Sequence, residues 1–298
     1  MKKSDFKPLD GTAFEVFDSF VKNCSTGSCE RSWANLQLYS NTYRWQWALL
    51  EDRLWIGSFE AAYLYYPLGD ACPPELLLKN LTDFRNICND SVTCGDIPFE
   101  YAEVFPDAGK FFALDDDPGD YDYIYDLAHL HSFSGAKLRK RHNQLRQFER
   151  NYEGRFDVKK ISGDDLAEVC ALAAVLSQAY WSDSTGLEEK LAFDELQNCW
   201  DDPALKLAGI ALYVDEKLAG FSIYSALNNE IADIHFEKAS REYIGCAAKV
   251  TAALVDRLLA ENYRFMNREQ DLNEDGLRQA KRALDPAMYW KRLNIELV

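Results

Sequence analysis

Residues 121–152 read YDYIYDLAHLHSFSGAKLRKRHNQLRQFERNY, a stretch with two opposed characters. Six aspartates, Asp115, Asp116, Asp117, Asp120, Asp122 and Asp126, crowd its beginning. Then Lys137, Arg139, Lys140, Arg141, Arg146 and Arg150 stand against the single acid Glu149. Leu138, Leu145, Phe148 and Tyr152 recur at helical spacing, which predicts an amphipathic helix with a cationic outer face. Two readings of that helix stay open: a solvated connector between two halves, or a phosphate-facing element beside a cleft.

Outward from this stretch, 298 residues suggest two domains or one large one. With 47% hydrophobic and 13% aromatic residues, the chain can bury real cores and is not a disordered polymer. A net charge of −16 repels nucleic acid and anionic membranes at long range, so any contact with a polyanion must be local. The eight cysteines form no C-x-x-C pair, and the four histidines complete no metal spacing, so no metal site is expected. The start MKKSDFKPLDG lacks the apolar core of a signal peptide, and no apolar run is long enough for a membrane span. These features predict a soluble cytoplasmic protein with free thiols and no integral membrane segment.

Helices are predicted over residues 12–21 and 32–39, then strands over 43–50, 53–59 and 61–66. A helix over 75–88 opens on Pro74, where a missing N–H costs nothing. Strands at 97–101 and 111–114, with a short helix around 103–106, complete this half. The second half begins with a strand at 156–161. Ser162 to Asp165 caps a helix reaching about Trp181, and a second helix ends near Trp200. Strands follow at 208–214, 218–227 and 230–238, then a helix at 245–261, a strand at 264–267, a helix around 276–283 and a last strand near 294–298. The two halves thus repeat one order of elements without repeating sequence.

That order is the one found in GNAT-type acyltransferases. DYIYDLAHLHSFSGAKLRKRHNQLRQFERNY, together with NREQDLNEDGLRQAKRALDP at residues 267–286, resembles a bacterial domain-of-unknown-function family. That family is related to the C-terminal catalytic part of phosphatidylglycerol lysyltransferase. The resemblance implies an α/β fold with mixed sheets, built as two tandem GNAT-like domains over 1–130 and 155–298 with a basic connecting helix at 131–154. It also implies direct transfer of an aminoacyl or acyl group to an amine or hydroxyl. The donor would be an aminoacyl-tRNA or an acyl-CoA, and the acceptor a small molecule, amino acid or lipid. The large membrane domain of the lysyltransferase is not expected here, which weakens the case for a lipid acceptor. A sensor that has lost catalysis is the alternative, and the oligomeric state is left open.

Several residues carry this chemistry. GNAT enzymes hold the acyl-CoA pyrophosphate on helix-opening amides, with the signature R/Q-x-x-G-x-G/A. Here Gly245 and Ala247 fit, but Arg241 comes one residue early and Glu242 takes its slot; a plain helix start is the competing reading. Lys137 and Arg141 on the basic helix are the other phosphate candidates. Asn267, Arg268, Glu269, Gln270 and Asp271 follow an apolar strand, where polar residues of an open α/β sheet point into the crevice. Asp271 or Glu269 would hold a substrate ammonium or accept its proton, although an ion pair with Arg268 would explain them equally. Arg278 and Lys281 share a helix face and would meet one anion together. If residues 122–125 are extended, Tyr123 and Tyr125 share a side and Asp122 faces the other; substrate contact and plain packing are both open. Tyr289 stands where GNAT enzymes place a tyrosine acid. Cys246, at a helix start, is either a reactive thiol or a buried spectator.

Overall fold

The computed structural model describes residues 1–22, 26–131, 133–177 and 184–298. The first half contains β1 (Lys7–Pro8), α1 (Phe14–Val21), α2 (Trp33–Leu38), α3 (Ser40–Tyr43), β2 (Gln46–Leu50), β3 (Arg53–Ser58), β4 (Tyr63–Tyr65), α4 (Pro74–Cys88), β5 (Val92–Pro98) and α5 (Tyr101–Val104). A middle portion follows with β6 (Asp122–Asp126), α6 (Leu127–His131) and α7 (Arg139–Asn151). The second half contains β7 (Phe156–Lys160), α8 (Leu166–Ser177), α9 (Ser184–Cys199), β8 (Ala208–Val214), β9 (Lys217–Ala226), β10 (Ile231–Ala239), α10 (Cys246–Ala260), β11 (Phe265–Asn267), α11 (Asp275–Arg282), β12 (Met288–Trp290) and β13 (Arg292–Leu297).

These strands form two mixed sheets. One runs β1-β2-β3-β4-β5-β13 and the other β7-β8-β9-β10-β11-β6-β12. Each has one parallel pair near its middle, β4 with β5 and β10 with β11. The halves trade strands: β6 comes from before the connecting helix yet lies in the second sheet, beside β11. β13, the last strand, lies in the first sheet beside β5. Sheet membership therefore does not follow the 1–130 and 155–298 division. The exchange ties the halves together, because neither sheet keeps all its strands without the other half.

Both partners contribute to the packing. Leu293 and Ile295 of β13 are buried in the first half's core with Leu77, Leu81 and Phe84 of α4. Tyr123 and Tyr125 of β6 are buried in the second half's core with Val250, Leu254 and Leu258 of α10. The predicted seam of α7 is real: Leu138, just before the helix, and Phe148 are fully buried in that core, and Leu145 and Tyr152 pack on it. Burial of each such large side chain contributes roughly 1.5–3 kcal/mol.

Some expected elements differ. Residues 40–43 are helical, and the chain reverses at Arg44, with φ of 49°, before β2 begins. Residues 111–114 form no strand. Phe112 is buried there, but a single bridge from Asp115 to Asn294 replaces a ladder. The helix expected to reach Trp181 is described as far as Ser177, and Trp181 lies outside the described residues. The short strand β12 was not expected.

Candidate active site

The second sheet opens where its parallel pair ends. Asp233 of β10 faces Asn267 of β11 in the last paired position. β10 continues to Ala239, whereas the chain after Asn267 leaves the sheet. The loop that leaves is NREQDLN, and three of its residues, Glu269, Leu272 and Asn273, hold positive φ. Non-glycine residues take that conformation only where surrounding contacts impose it. The imposing contacts come from β6 and α11.

Asp271 is fully buried, and its oxygens are all taken. Tyr123 Oη donates to it at 2.6 Å, Arg278 donates twice at 2.8 Å, and the Asn273 amide donates at 2.9 Å. Burial alone would raise its pKa, but the Arg278 and Tyr123 hydrogen bonds bring it below the usual carboxylate range. Lys281 does not join Arg278 on one anion, as the shared helix face suggested. Its ammonium donates to the Arg268 carbonyl at 2.6 Å and to the Gln270 carbonyl. Tyr125 Oη donates to the Lys281 carbonyl at 2.8 Å. Burial, followed by the neighbouring Arg268, pushes the Lys281 ammonium down against the pull of Glu269. Tyr123 and Tyr125 are themselves buried, so they support the loop and the helix rather than lining an open surface.

Asp122 and Asn267, expected to touch substrate, are completely buried in the seam between the halves. Asp122 accepts from the Cys29 amide at 2.8 Å and from Asn267 Nδ2 at 2.9 Å, and it pairs with Arg292 at 2.5 Å. Asn267 Nδ2 also donates to the Gly27 carbonyl at 2.8 Å. Every one of these partners is protein, which gives both residues a clasping task.

On the open side stand Glu269, Arg268 and Arg141. Glu269 Oε1 points inward, 3.6 Å from His235 Nδ1, while a fifth of its side chain stays exposed. Burial, with Asp122 and Glu30 adding to it, raises the Glu269 carboxyl despite Lys281 and Arg292. Arg268 pairs with Glu237 at 2.9 Å, the ion pair expected as a structural alternative, but with Glu237 instead of Glu269 or Asp271. The Arg141 guanidinium is lowered by burial first and then by Arg268, so the basic helix sends this one cation toward the cleft. Arg139, Lys140, Arg146 and Arg150 remain exposed, and Lys137 pairs with Asp285 at 2.7 Å.

Two candidates fall elsewhere. Gly245, with φ of 85°, opens α10, but a Cβ there would lie 2.3 Å from the Gln144 carbonyl and 2.9 Å from Phe148 Cβ. The glycine admits the close approach of α7. Tyr152 Oη accepts from the Ile244 amide at 3.2 Å. Arg241 and Ala247 are exposed around this closed start. Cys246 is buried and donates to the Ala219 carbonyl at 3.4 Å; burial pushes its thiol up to about 11, so it is a spectator. Tyr289 is 40% exposed on β12, its ring edge-on to Tyr123 at 5.0 Å.

Sequence reading missed Asp233, His235 and Glu237. They alternate with apolar residues along β10, and only its pairing shows which face meets the loop. The strand bulges between Ile234 and Phe236, leaving His235 unpaired in the ladder. Bulges re-aim side chains beside functional sites. A surface hollow lined by Glu149, Arg150, Glu153, Gly154 and Phe156 lies away from these groups.

A sheet split at a central parallel pair, repeated in two halves that trade strands, defines a tandem GNAT-like acyltransferase fold. A profile of the family described as phosphatidylglycerol lysyltransferase, C-terminal, matches residues 22–292, and the chain belongs to that family, one of acyl or aminoacyl transferases. It is similar in structure to a conserved protein of unknown function from Bacteroides thetaiotaomicron VPI-5482, with 23% identity, a TM-score of 0.86 and complete coverage of both chains. It is also similar to L-PGS from Bacillus licheniformis, at 15% identity and TM-score 0.62 over 97% of this chain and 92% of that one. FemX gives 9% identity and TM-score 0.61 over 97% and 96%. No curated protein sequence matches the chain. Among the described residues, no helix is long and apolar enough to cross a membrane.

Proposed function

We propose that this chain transfers an aminoacyl group from an aminoacyl-tRNA to an amine or hydroxyl acceptor, at the cleft where β10 and β11 part. The observation that carries the reading is Lys281. Its ammonium is anchored by two carbonyls of the cleft loop, which leaves one N–H for the oxygen that becomes negative as the ester carbonyl is attacked. Glu269, exposed at the same opening, would accept the proton released by the attacking group. The ester C–O bond then breaks and the tRNA hydroxyl leaves, with no covalent enzyme intermediate. Arg141 and Arg268 offer positive charge for phosphates at the rim. Asp271 and Tyr123 position Arg278 and the loop.

The start of α10 favours this donor over acyl-CoA, because the Ile244 amide is already bonded to Tyr152, the Cys246 amide to the Tyr243 carbonyl, and α7 packs against Gly245. The test compares donors directly. The chain is incubated with charged tRNA or acyl-CoA and a panel of amine and hydroxyl acceptors, and transfer is followed by mass spectrometry. Turnover with charged tRNA alone supports the proposal. Turnover with acyl-CoA alone overturns the donor, and stabilisation by a free amino acid without any transfer points to a sensor.

A further inference from the structure

Behind the cleft opening, Asp233, His235 and Glu269 turn one atom each toward a common point. The His235 Nδ1 lies 3.8 Å from Asp233 Oδ2 and 3.6 Å from Glu269 Oε1. All three donor atoms lie within 4.8 Å of one another. Asp233 and His235 have no exposed side-chain surface. Among the described residues, neither Asp233 oxygen, nor His235 Nδ1, nor Glu269 Oε1 has a hydrogen-bond partner within bonding distance. The Ser32 hydroxyl lies close enough to Asp233 to favour its charged form, though outside hydrogen-bond distance. No lysine or arginine pairs with Asp233 among the described residues. Leaving such groups bare inside a protein costs several kcal/mol, so a cluster of this kind points to something that fills it.

The other side of the imidazole shows what that is. His235 Nε2 is 2.8 Å from Ser225 Oγ, a fully buried hydroxyl. With Nε2–H donating to that oxygen, Nδ1 presents its lone pair to the two carboxylates. Three lone-pair donors facing one another repel unless a proton or a metal cation sits between them. A ligating histidine fixed through its second nitrogen is the usual support for a bound metal.

We propose that Asp233, His235 and Glu269 form a binding site for one first-row divalent cation of the Mn²⁺, Fe²⁺, Co²⁺ or Zn²⁺ type. Imidazole with two carboxylates suits these ions better than Mg²⁺ or Ca²⁺, which favour all-oxygen sites. Bond lengths of about 2.1 Å place tetrahedral ligand atoms about 3.4 Å apart, so the two His235 distances, 3.6 and 3.8 Å, need to close by only a few tenths of an ångström, whereas the two carboxylate oxygens lie within 4.8 Å and close further. The sequence pattern gave no sign of it, since the ligands come from a bulged strand and a distant loop. The site does not depend on the transfer reaction proposed above and would stand with another donor or acceptor. The cluster uses only Oε1 of Glu269, whose side chain keeps a fifth of its surface exposed.

The test uses the whole chain, stripped with a chelator and titrated with Mn²⁺, Co²⁺ and Zn²⁺ by calorimetry, with Co²⁺ absorption as a second readout. The expected result is one equivalent per chain, visible Co²⁺ bands and a raised melting temperature. His235→Ala and Asp233→Asn should each weaken binding at least about tenfold. His129→Ala, at an exposed pair with Asp285, should leave it unchanged. Asp233→Asn keeps shape and volume, so it decides the matter if His235→Ala does not fold. No saturable binding to the wild-type chain, or equal binding by wild type and Asp233→Asn, overturns the proposal. Stabilisation by an alkylammonium salt but by none of the metals overturns it too, and assigns the cluster to an ammonium.

Discussion

Arg292 pairs with Asp122 at 2.5 Å, and the two residues sit on the strands that the halves exchange. Arg292 opens β13, which the end of the chain adds to the first sheet, and Asp122 opens β6, which the middle adds to the second. Arg292 also reaches Glu30 at 3.1 Å and Asp96 at 3.7 Å, and Arg31 pairs with Asp96 from the other side. The seam is therefore closed by charges that are largely withdrawn from water, with Glu30 the most exposed of them. Replacing Arg292 with Met should leave Asp122 buried and unpaired, at a cost of about 3–5 kcal/mol. The double variant with Asp122→Asn should recover part of that loss. Urea unfolding of the two single variants and the pair measures it, and additive losses would refute the coupling.

Lys281→Met preserves the length of the side chain and removes its charge and donors. If the ammonium serves the oxyanion, kcat should fall by about 10²–10³. The measurement is aminoacyl transfer under saturating donor, with circular dichroism confirming the fold. Unchanged turnover would remove Lys281 from the mechanism.

Arg141→Ala tests the one cation that the basic helix turns toward the cleft. Its loss should weaken binding of charged tRNA and reduce the dependence of log K on log salt by about one charge. Replacing exposed Arg150 should do less. Binding measured between low and moderate salt separates the two, and equal effects would mean that the helix acts only as a diffuse positive surface.

Asp271 should set part of the acid limit of stability. Burial opposes its ionisation, but Arg278 and Tyr123 together hold its folded pKa below the ordinary value. A depressed carboxylate contributes stability above the unfolded pKa and loses it as pH falls through the folded one. Stability should therefore drop below about pH 4, where unfolded aspartates take up protons. Asp271→Asn should be less stable near neutrality and show a shallower decline in acid. Thermal unfolding from pH 7 to pH 3 follows this, and identical slopes would contradict it.

Gly245→Ala should destabilise the protein by roughly 1–3 kcal/mol, because the new Cβ meets the Gln144 carbonyl in a strained backbone region. If the glycine served a phosphate alone, stability without ligand would hardly change. Chemical denaturation of the ligand-free chain distinguishes the two.

Much of this architecture was legible in the residues. The seam of α7 was readable because helical period exposes Leu138, Leu145, Phe148 and Tyr152 as one apolar line. The polar run from Asn267 to Asp271 was readable because five such residues directly after an apolar strand demand partners. Their division of labour was not readable. Asp271 and Glu269 are chemically alike and two residues apart, yet one is saturated by Arg278 and Tyr123 while the other faces the unpaired Nδ1 of His235. Lys281 looked like a companion of Arg278 because helix spacing ignores which loop carbonyls lie above it.

The sequence by itself determined most of the longer elements and the amphipathic basic helix, since these depend on local period, capping and charge, but not the short strands β1, β6 and β12. Only the tertiary structure decided that β6 and β13 change sheets, because strand partners are chosen by long-range packing and hydrogen bonding, which no local pattern records. It alone brought Asp233 and His235 of β10 against Glu269. Burial then fixed the chemistry of each group, since the same carboxylate is a clasp in a closed seam and a candidate ligand beside an unpaired imidazole nitrogen.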